Sequence, residues 1–267
     1  MTSTISVLSQ KGGTGKTTAV RTLTDVFRRA GLSVLAVDLD PQGNLSDYLD
    51  VDPDASPTIG DVLSGRATAR EAIHNGIVPA NLTLAEAELS LGGKMGRELS
   101  LKRALRDVAV DYDLVLIDCP PSLGLLSVNA LVASDYALLS AEAQYFALQG
   151  VEQALEVIEL ARDGLNPDLV WLGVVLNIAD MRTRHSREVF DSLREHFSDK
   201  LFETTIRSSI AYAESAERAV SILDYRPDLG ADYVAVAREL LRRLGLDAAS
   251  ERVGSMLPTT QAARAGA

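Results

Sequence analysis

Between the apolar run Ile5-Ser6-Val7-Leu8 and a helical pattern that begins at Lys16 lies the segment Lys11-Gly12-Gly13-Thr14-Gly15-Lys16-Thr17-Thr18. A strand that passes through a glycine-rich loop into a helix constrains the fold more than any other feature of this chain. Gly12, Gly13 and Gly15 let backbone N–H groups converge on one point without Cβ clashes. The helix start adds its own unpaired N–H groups and the positive end of its dipole, which makes the loop a cradle for phosphate oxygens. Lys16 is placed to reach the β- and γ-phosphates of a nucleoside triphosphate, and the Thr17 hydroxyl to ligate Mg²⁺. The loop departs from the general spacing in one place. Gln10 stands where a glycine five residues before Gly15 is usual, and an additional lysine, Lys11, opens the loop.

Apolar strand-like runs alternate with longer helical patterns along most of the sequence. Strands are expected over residues 5–9, 33–38, 81–86, 114–118, 136–140 and 170–177. Helices are expected over 16–30, 99–110, 146–163 and 187–197, with a last one over 231–244. Short continuous apolar runs such as Leu114-Val115-Leu116-Ile117 suit strands covered on both faces. The fold class is therefore α/β, a doubly wound, mostly parallel sheet with helices on both faces, of the P-loop NTPase kind. Residues 1–246 are expected to form one domain. Residues 50–80 carry Pro53, Pro57, Gly60 and Gly65 and read as a connecting excursion, and the small, polar segment 247–267 reads as a disordered tail.

In such sheets ligands sit at the carboxyl ends of the strands, and the candidate acids fall there. The second strand ends in Val37-Asp38-Leu39-Asp40-Pro41-Gln42-Gly43-Asn44, two carboxylates one residue apart before a turn. One of them near a γ-phosphate can position water or contribute to a Mg²⁺ site. Leu114-Val115-Leu116-Ile117-Asp118 presents one carboxylate at the end of a dry strand, the Walker B arrangement. Cys119, the chain's one cysteine, reads as a small buried residue and excludes an internal disulfide.

These motifs resemble those of chromosomal ParA (Soj-type) partition ATPases from Ile5 to about Leu244. The loop matches the deviant Walker A form KGGxGKT of the ParA/MinD/NifH group. Asp40-Pro41-Gln42-Gly43-Asn44, Ala85-Glu86 with Gly96-Arg97-Glu98, Cys119-Pro120-Pro121-Ser122-Leu123-Gly124 and Ala147-Leu148-Gln149-Gly150 separate ParA from its relatives. The resemblance implies slow, Mg²⁺-dependent ATP hydrolysis in an ATP-bound sandwich homodimer, with Lys11 reaching the partner's ATP. It assigns hydrolysis to Lys11, Lys16 and Asp40, with Asp38 in support. It assigns Mg²⁺ to Thr17, Asp40 and Asp118, and adenine contact to Asn177. It further implies nonspecific binding of double-stranded DNA, stimulation by a ParB-like or cargo-adaptor protein, and a cytoplasmic, nucleoid-associated role in chromosome or plasmid segregation or cargo positioning. The sequence departs from the family after Ile206, where Arg207-Ser208-Ser209 replaces a common Pro-Arg.

With 26 Lys and Arg against 37 Asp and Glu, a net charge of -11, the chain is not a generally basic nucleic-acid binder. DNA contact would need a local basic face. Arg182, Arg184 and Arg187, with His185 between them, form the densest cluster, and Arg207 and Arg218 lie further on. No run approaches the roughly 20 apolar residues of a membrane span. After Met1 only Thr2, Ser3 and Thr4 precede the first strand, which gives no signal-peptide pattern and supports the cytoplasmic expectation. Two other readings use the same nucleotide site. One is a MinD-like, membrane-cycling ATPase, for which Leu240-Leu241-Arg242-Arg243-Leu244 would be the amphipathic anchor. The other is a metabolic enzyme that spends ATP on a small molecule.

Overall fold

Every residue of Val34–Asp38 and of Leu114–Asp118 is buried, the condition of strands covered by helices on both faces. The computed structural model, which describes residues 2–257, builds a sheet from six such strands. In chain order the elements are β1 (Ser3–Leu8), α1 (Lys16–Arg29), β2 (Val34–Asp38), α2 (Asn44–Tyr48), α3 (Ile59–Ser64), β3 (Ile77–Val78), α4 (Thr83–Leu91), α5 (Ser100–Ala109), β4 (Leu114–Asp118) and α6 (Leu125–Ala133). Then follow β5 (Tyr136–Glu142), α7 (Ala147–Gly164), β6 (Val170–Asn177), α8 (Arg184–Phe197), α9 (Ala211–Glu217), α10 (Ile222–Tyr225), α11 (Pro227–Arg243) and α12 (Asp247–Gly254).

The strand order is β3-β2-β4-β1-β5-β6, and every pairing between these strands is parallel. Side chains alternate across the sheet with period 2. Leu35, Val37, Val115, Ile117, Leu139, Val174 and Leu176 face one apolar layer with α3 to α8. Ile5, Val7, Val34, Ala36, Leu114, Leu116 and Val175 face the other with α1, α11 and α12. The chain winds outward from β1 in both directions, so the carboxyl ends of β1, β4 and β5 flank the switch point at which ligands bind.

Three expectations from the sequence are corrected. Residues 81–86 belong to a helix start rather than a strand. The Asn81 side-chain oxygen accepts from the Thr83 backbone N–H at 3.0 Å and its hydroxyl at 2.6 Å, and Leu84, Ala87 and Leu91 are buried at helical spacing. The third strand is instead the two-residue Ile77–Val78, too short to show a period. Residues 247–254 form α12 rather than a disordered tail, because Ala249, Val253 and Leu257 are buried against α11 and the second apolar layer. Residues 258–267, also assigned to that tail, lie outside the described residues.

Close approach of backbone explains one glycine. Gly173 in β6 has φ +138°, and a Cβ there would lie 1.9 Å from the Lys200 carbonyl oxygen. Only a residue without a side chain lets the 200–202 segment pack on β6, where the Phe202 N–H donates to the Val174 oxygen at 2.8 Å.

Candidate functional site

The loop after β1 opens into a cleft of about 510 Å³ whose floor is Gly12 to Thr18. Gly13 and Gly15 take left-handed conformations, φ +80° and +78°, which turn successive N–H groups inward and deliver the chain into α1. Nothing would meet a Cβ at Gly12 or Gly13, whereas one at Gly15 would stand 3.5 Å from the Asn177 side chain. The loop is thus open on one side and pressed against β6 on the other. Ser9 ties it down, its hydroxyl donating to the Lys11 carbonyl at 2.9 Å.

The two loop lysines have opposite surroundings. Lys16 is 6% exposed and donates to Asp118 Oδ1 at 2.5 Å, while Asp118 is fully buried. Burial alone would lower the Lys16 pKa, and the Asp118 carboxylate more than offsets it, so the ammonium titrates above its ordinary value. Asp118 is raised by burial, against the opposing pull of Lys16 and the Thr17 hydroxyl. Lys11, by contrast, is exposed at the mouth of the cleft. It has no salt bridge among the described residues, and its ammonium lies 5.1 Å from the centre of the Phe146 ring.

Asp40 and Asp118 come from strand ends that the sheet brings together, since Asp38 and Asp118 are register partners on β2 and β4. Asp40 lines the cleft with Gln42 and Asn44, and its Oδ1 accepts from the Gln42 N–H at 3.0 Å. Asp38 has a different task. Fully buried, it accepts from the Asp40 N–H at 3.1 Å and from the Ser46 N–H and hydroxyl at 2.9 and 2.8 Å. It therefore clamps both ends of the turn that carries Asp40. Burial, with the neighbouring Asp118 charge, pushes its pKa up to about 7. Cys119 is buried, and burial raises its thiol pKa, in keeping with a packing role.

The residues fit Mg²⁺ bound with a nucleotide. Asp118 Oδ2 is a buried oxygen without a hydrogen-bond partner, the Thr17 hydroxyl in the first turn of α1 lies beside the Asp118 carboxylate, and Thr17 and Asp40 line the same cleft. No group of three His, Cys, Asp or Glu is arranged to hold a metal ion by itself among the described residues. A hard cation here would complete its shell from phosphate oxygens and water, as Mg²⁺ does.

The far wall of the cleft consists of Asn177, Ile178, Ile206, Arg207, Ser208, Ser209, Tyr212 and Tyr233. Asn177 is where the sequence placed it, at the end of β6 and 1% exposed. Ser208 and Ser209 stand in the sequence only as a departure from the family pattern, and Tyr212 and Tyr233 carry no sequence expectation. The Ile206 N–H donates to the Leu176 oxygen at 2.9 Å and the Ala179 N–H to the Ile206 oxygen at 3.0 Å, so 206–209 run alongside the end of β6. The rings of Tyr212 and Tyr233 meet edge to face at 5.8 Å, and burial raises the Tyr212 hydroxyl pKa. The one available signal was position: a short polar segment just after an apolar run.

The five arginines proposed for DNA do not form one free patch. Arg182 is held by Asp180 at 2.8 Å and Arg184 by Glu188 at 2.6 Å. Arg187 is exposed without a salt bridge among the described residues. Arg207 is turned into the cleft wall, pairing with Asp232 at 2.8 Å and donating to the Asp228 carbonyl. Arg218 lies over the Tyr225 ring at 5.2 Å. On α11, Leu240 and Leu241 are fully buried in the core, so that helix offers no free apolar face for a membrane. No helix among the described residues is long and apolar enough to cross one.

Residues 2–171 match the family model of an AAA domain. The chain is 37% identical to the sporulation initiation inhibitor protein Soj of Bacillus subtilis over 245 residues, covering 88% of this chain and 97% of that protein. It is 36% identical to the chromosome partitioning protein ParA of Myxococcus xanthus over 248 residues, 90% of this chain and 88% of that one. Among solved structures, one titled cobyrinic acid a,c-diamide synthase from Mycobacterium smegmatis, with bound ATP analogue and magnesium, is 38% identical with a TM-score of 0.74, covering 81% of this chain and 93% of that one. The septum site-determining protein MinD of Pyrococcus horikoshii, complexed with Mg-ADP, is 27% identical with a TM-score of 0.76, covering 92% and 99%. With its glycine loop, paired strand-end carboxylates and relatives that match over nearly their whole length, the chain belongs to the ParA/Soj family of P-loop partition ATPases.

Proposed function

We propose that this protein is a Mg²⁺-dependent ATPase whose ATP-bound form is a sandwich dimer that binds DNA without sequence preference. A ParB-like or cargo-adaptor protein then triggers hydrolysis and release. The contrast between the two loop lysines carries the reading. Lys16 is buried within its own site, whereas Lys11 is exposed at the cleft mouth with no carboxylate paired to it among the described residues. A lysine that serves its own protomer is shielded there; one aimed outward suits the phosphates of a facing protomer, in the manner of an arginine finger supplied in trans.

In this reading the loop N–H groups and the start of α1 hold the phosphates, with Lys16 leaving Asp118 for the β- and γ-oxygens. Thr17 and Asp118 would hold Mg²⁺, with Asp40 close to it; the ion neutralises charge that develops on the transferred phosphate. Asp40 orients the attacking water, and the clamp of Asp38 on Ser46 fixes the turn that presents it. Asn177 and the Tyr212 wall receive the adenine. Arg182, Arg184, Arg187 and Arg218 contribute to the DNA face, which the dimer presents twice, with Arg207 tied closer to the nucleotide. Segregation of a chromosome or plasmid, or spacing of a cargo on the nucleoid, is the resulting role.

The test is a gel shift of nonspecific duplex DNA with ATP, ADP or no nucleotide across a salt series. Binding should require ATP and weaken steeply with salt, because each phosphate contact releases a counterion. ATP turnover should be slow and rise with DNA and partner together. No ATP-dependent shift at low salt would refute the reading. So would ADP release that ignores DNA but requires a small acid to be amidated, the behaviour of a synthase.

A further inference from the structure

Two buried side chains and one backbone carbonyl join the phosphate loop to the base wall, and the direction of each hydrogen bond is fixed by chemistry. The Ser140 hydroxyl on β5 donates to the Thr14 carbonyl at 2.9 Å. A carbonyl only accepts, so the single hydroxyl proton is committed to the loop. The Asn177 amide meets the same Ser140 oxygen at 2.6 Å. With no second proton on Ser140, the group facing it must be the amide NH₂ rather than its oxygen. That fixes the amide's orientation, and Asn177 Oδ1 is left buried without a donor. Ser140 and Asn177 are 5% and 1% exposed, so water does not compete for this arrangement.

Asn177 stands at the wall of the nucleotide cleft, and an amide oxygen without a partner asks for a hydrogen-bond donor. Adenine carries an exocyclic amine at position 6, where hypoxanthine carries a carbonyl oxygen. We propose that Ser140 is a positioning residue that locks the Asn177 amide with its oxygen as the free group, so that the site selects a 6-amino over a 6-oxo purine. The inference rests on the reading of Asn177 as the base contact. Without the Ser140 hydroxyl the amide can turn over and offer NH₂ to a 6-oxo group, and the discrimination is lost. Sites that pair a specific polar group discriminate well because the wrong ligand leaves buried atoms unpaired.

The experiment is competition of ATP and ITP, with Mg²⁺, against a ribose-labelled fluorescent ATP analogue. It compares the unmodified chain with Ser140→Ala, Ser140→Thr and Asn177→Ala. The unmodified chain should prefer ATP by about tenfold or more. Ser140→Ala should bring the ratio close to one. Ser140→Thr keeps the hydroxyl, and Ser140 borders a slot of about 40 Å³; it should retain the preference. Equal weakening of both nucleotides in Ser140→Ala, with the ratio preserved, would mean packing alone and overturn the proposal. So would Ser140→Thr behaving as Ser140→Ala. If Asn177→Ala leaves the ratio unchanged, the base-contact reading fails and the inference falls with it. If Asn177→Ala collapses the ratio and Ser140→Ala does not, only the role of Ser140 is refuted.

Discussion

Replacing Lys16 with methionine should unfold the nucleotide-free protein more readily, apart from any effect on ATP. The ammonium and the Asp118 carboxylate are 2.5 Å apart, and the two side chains are 6% and 0% exposed. Removing one partner of such a pair strands the other charge in the interior, which costs about 3–5 kcal/mol. Two details place the expected loss toward the upper end. Asp118 Oδ2 already lacks a partner, and the register neighbour across the sheet is a second buried carboxyl, Asp38. Methionine is close to lysine in length, so little of the loss comes from a cavity. Adding Asp118→Asn removes the stranded charge and should recover about 2–3 kcal/mol, a coupling that independent sites would not show. The assay is urea unfolding in EDTA without nucleotide for both single variants and the double variant. A Lys16→Met loss below about 1 kcal/mol, or a double variant whose loss is the sum of the two single losses, would refute the stranded-charge reasoning.

Val253→Ala on α12 should cost about 2 kcal/mol, since Val253 is fully buried, and lower the melting temperature by about 4–8 °C; an unchanged melting curve would mean that α12 does not dock. Gly173→Ala should destabilise the fold by more than about 3 kcal/mol or leave it insoluble, because its Cβ would stand 1.9 Å from the Lys200 oxygen. A soluble variant with an unchanged melting temperature would contradict that close approach. Lys11→Ala should bind ATP within about threefold of the parent yet lose stimulated hydrolysis by about a thousandfold, the scale of a charge supplied in trans; full stimulated turnover would assign Lys11 to the surface.

Much of the site was legible because each of its parts is local. The glycine loop and the acids at the ends of β2 and β4 announce themselves by residue type at a strand terminus, whereas Asn177 at the end of β6 was reached through the family resemblance, and the parallel sheet brings those termini together. The elements that were misread lack such a signature. Ile77–Val78 is two residues long, so no period can show, and the Asn81 turn hid a helix start inside an apolar run. On α12 and just after it, Ala249, Val253 and Leu257 are too sparse in a polar stretch to stand out until α11 supplies the surface they cover. The cleft wall at Ser208, Ser209, Tyr212 and Tyr233 is assembled across α9 and α11, which are distant from the loop in sequence. Ion pairing was also out of reach: the contacts of Arg182 with Asp180, Arg184 with Glu188 and Arg207 with Asp232 are tertiary or rotameric facts.

The central claim is a site completed across two protomers, and Asp40→Ala tests it most directly. Asp40 lines the cleft but lies outside the glycine loop, so the variant should still bind ATP while failing to hydrolyse it. Light scattering coupled to gel filtration, with Mg²⁺ and ATP, should then give twice the 28.6 kDa of one chain, and the single mass with ADP. A variant that binds ATP and still elutes at the single mass would contradict the account.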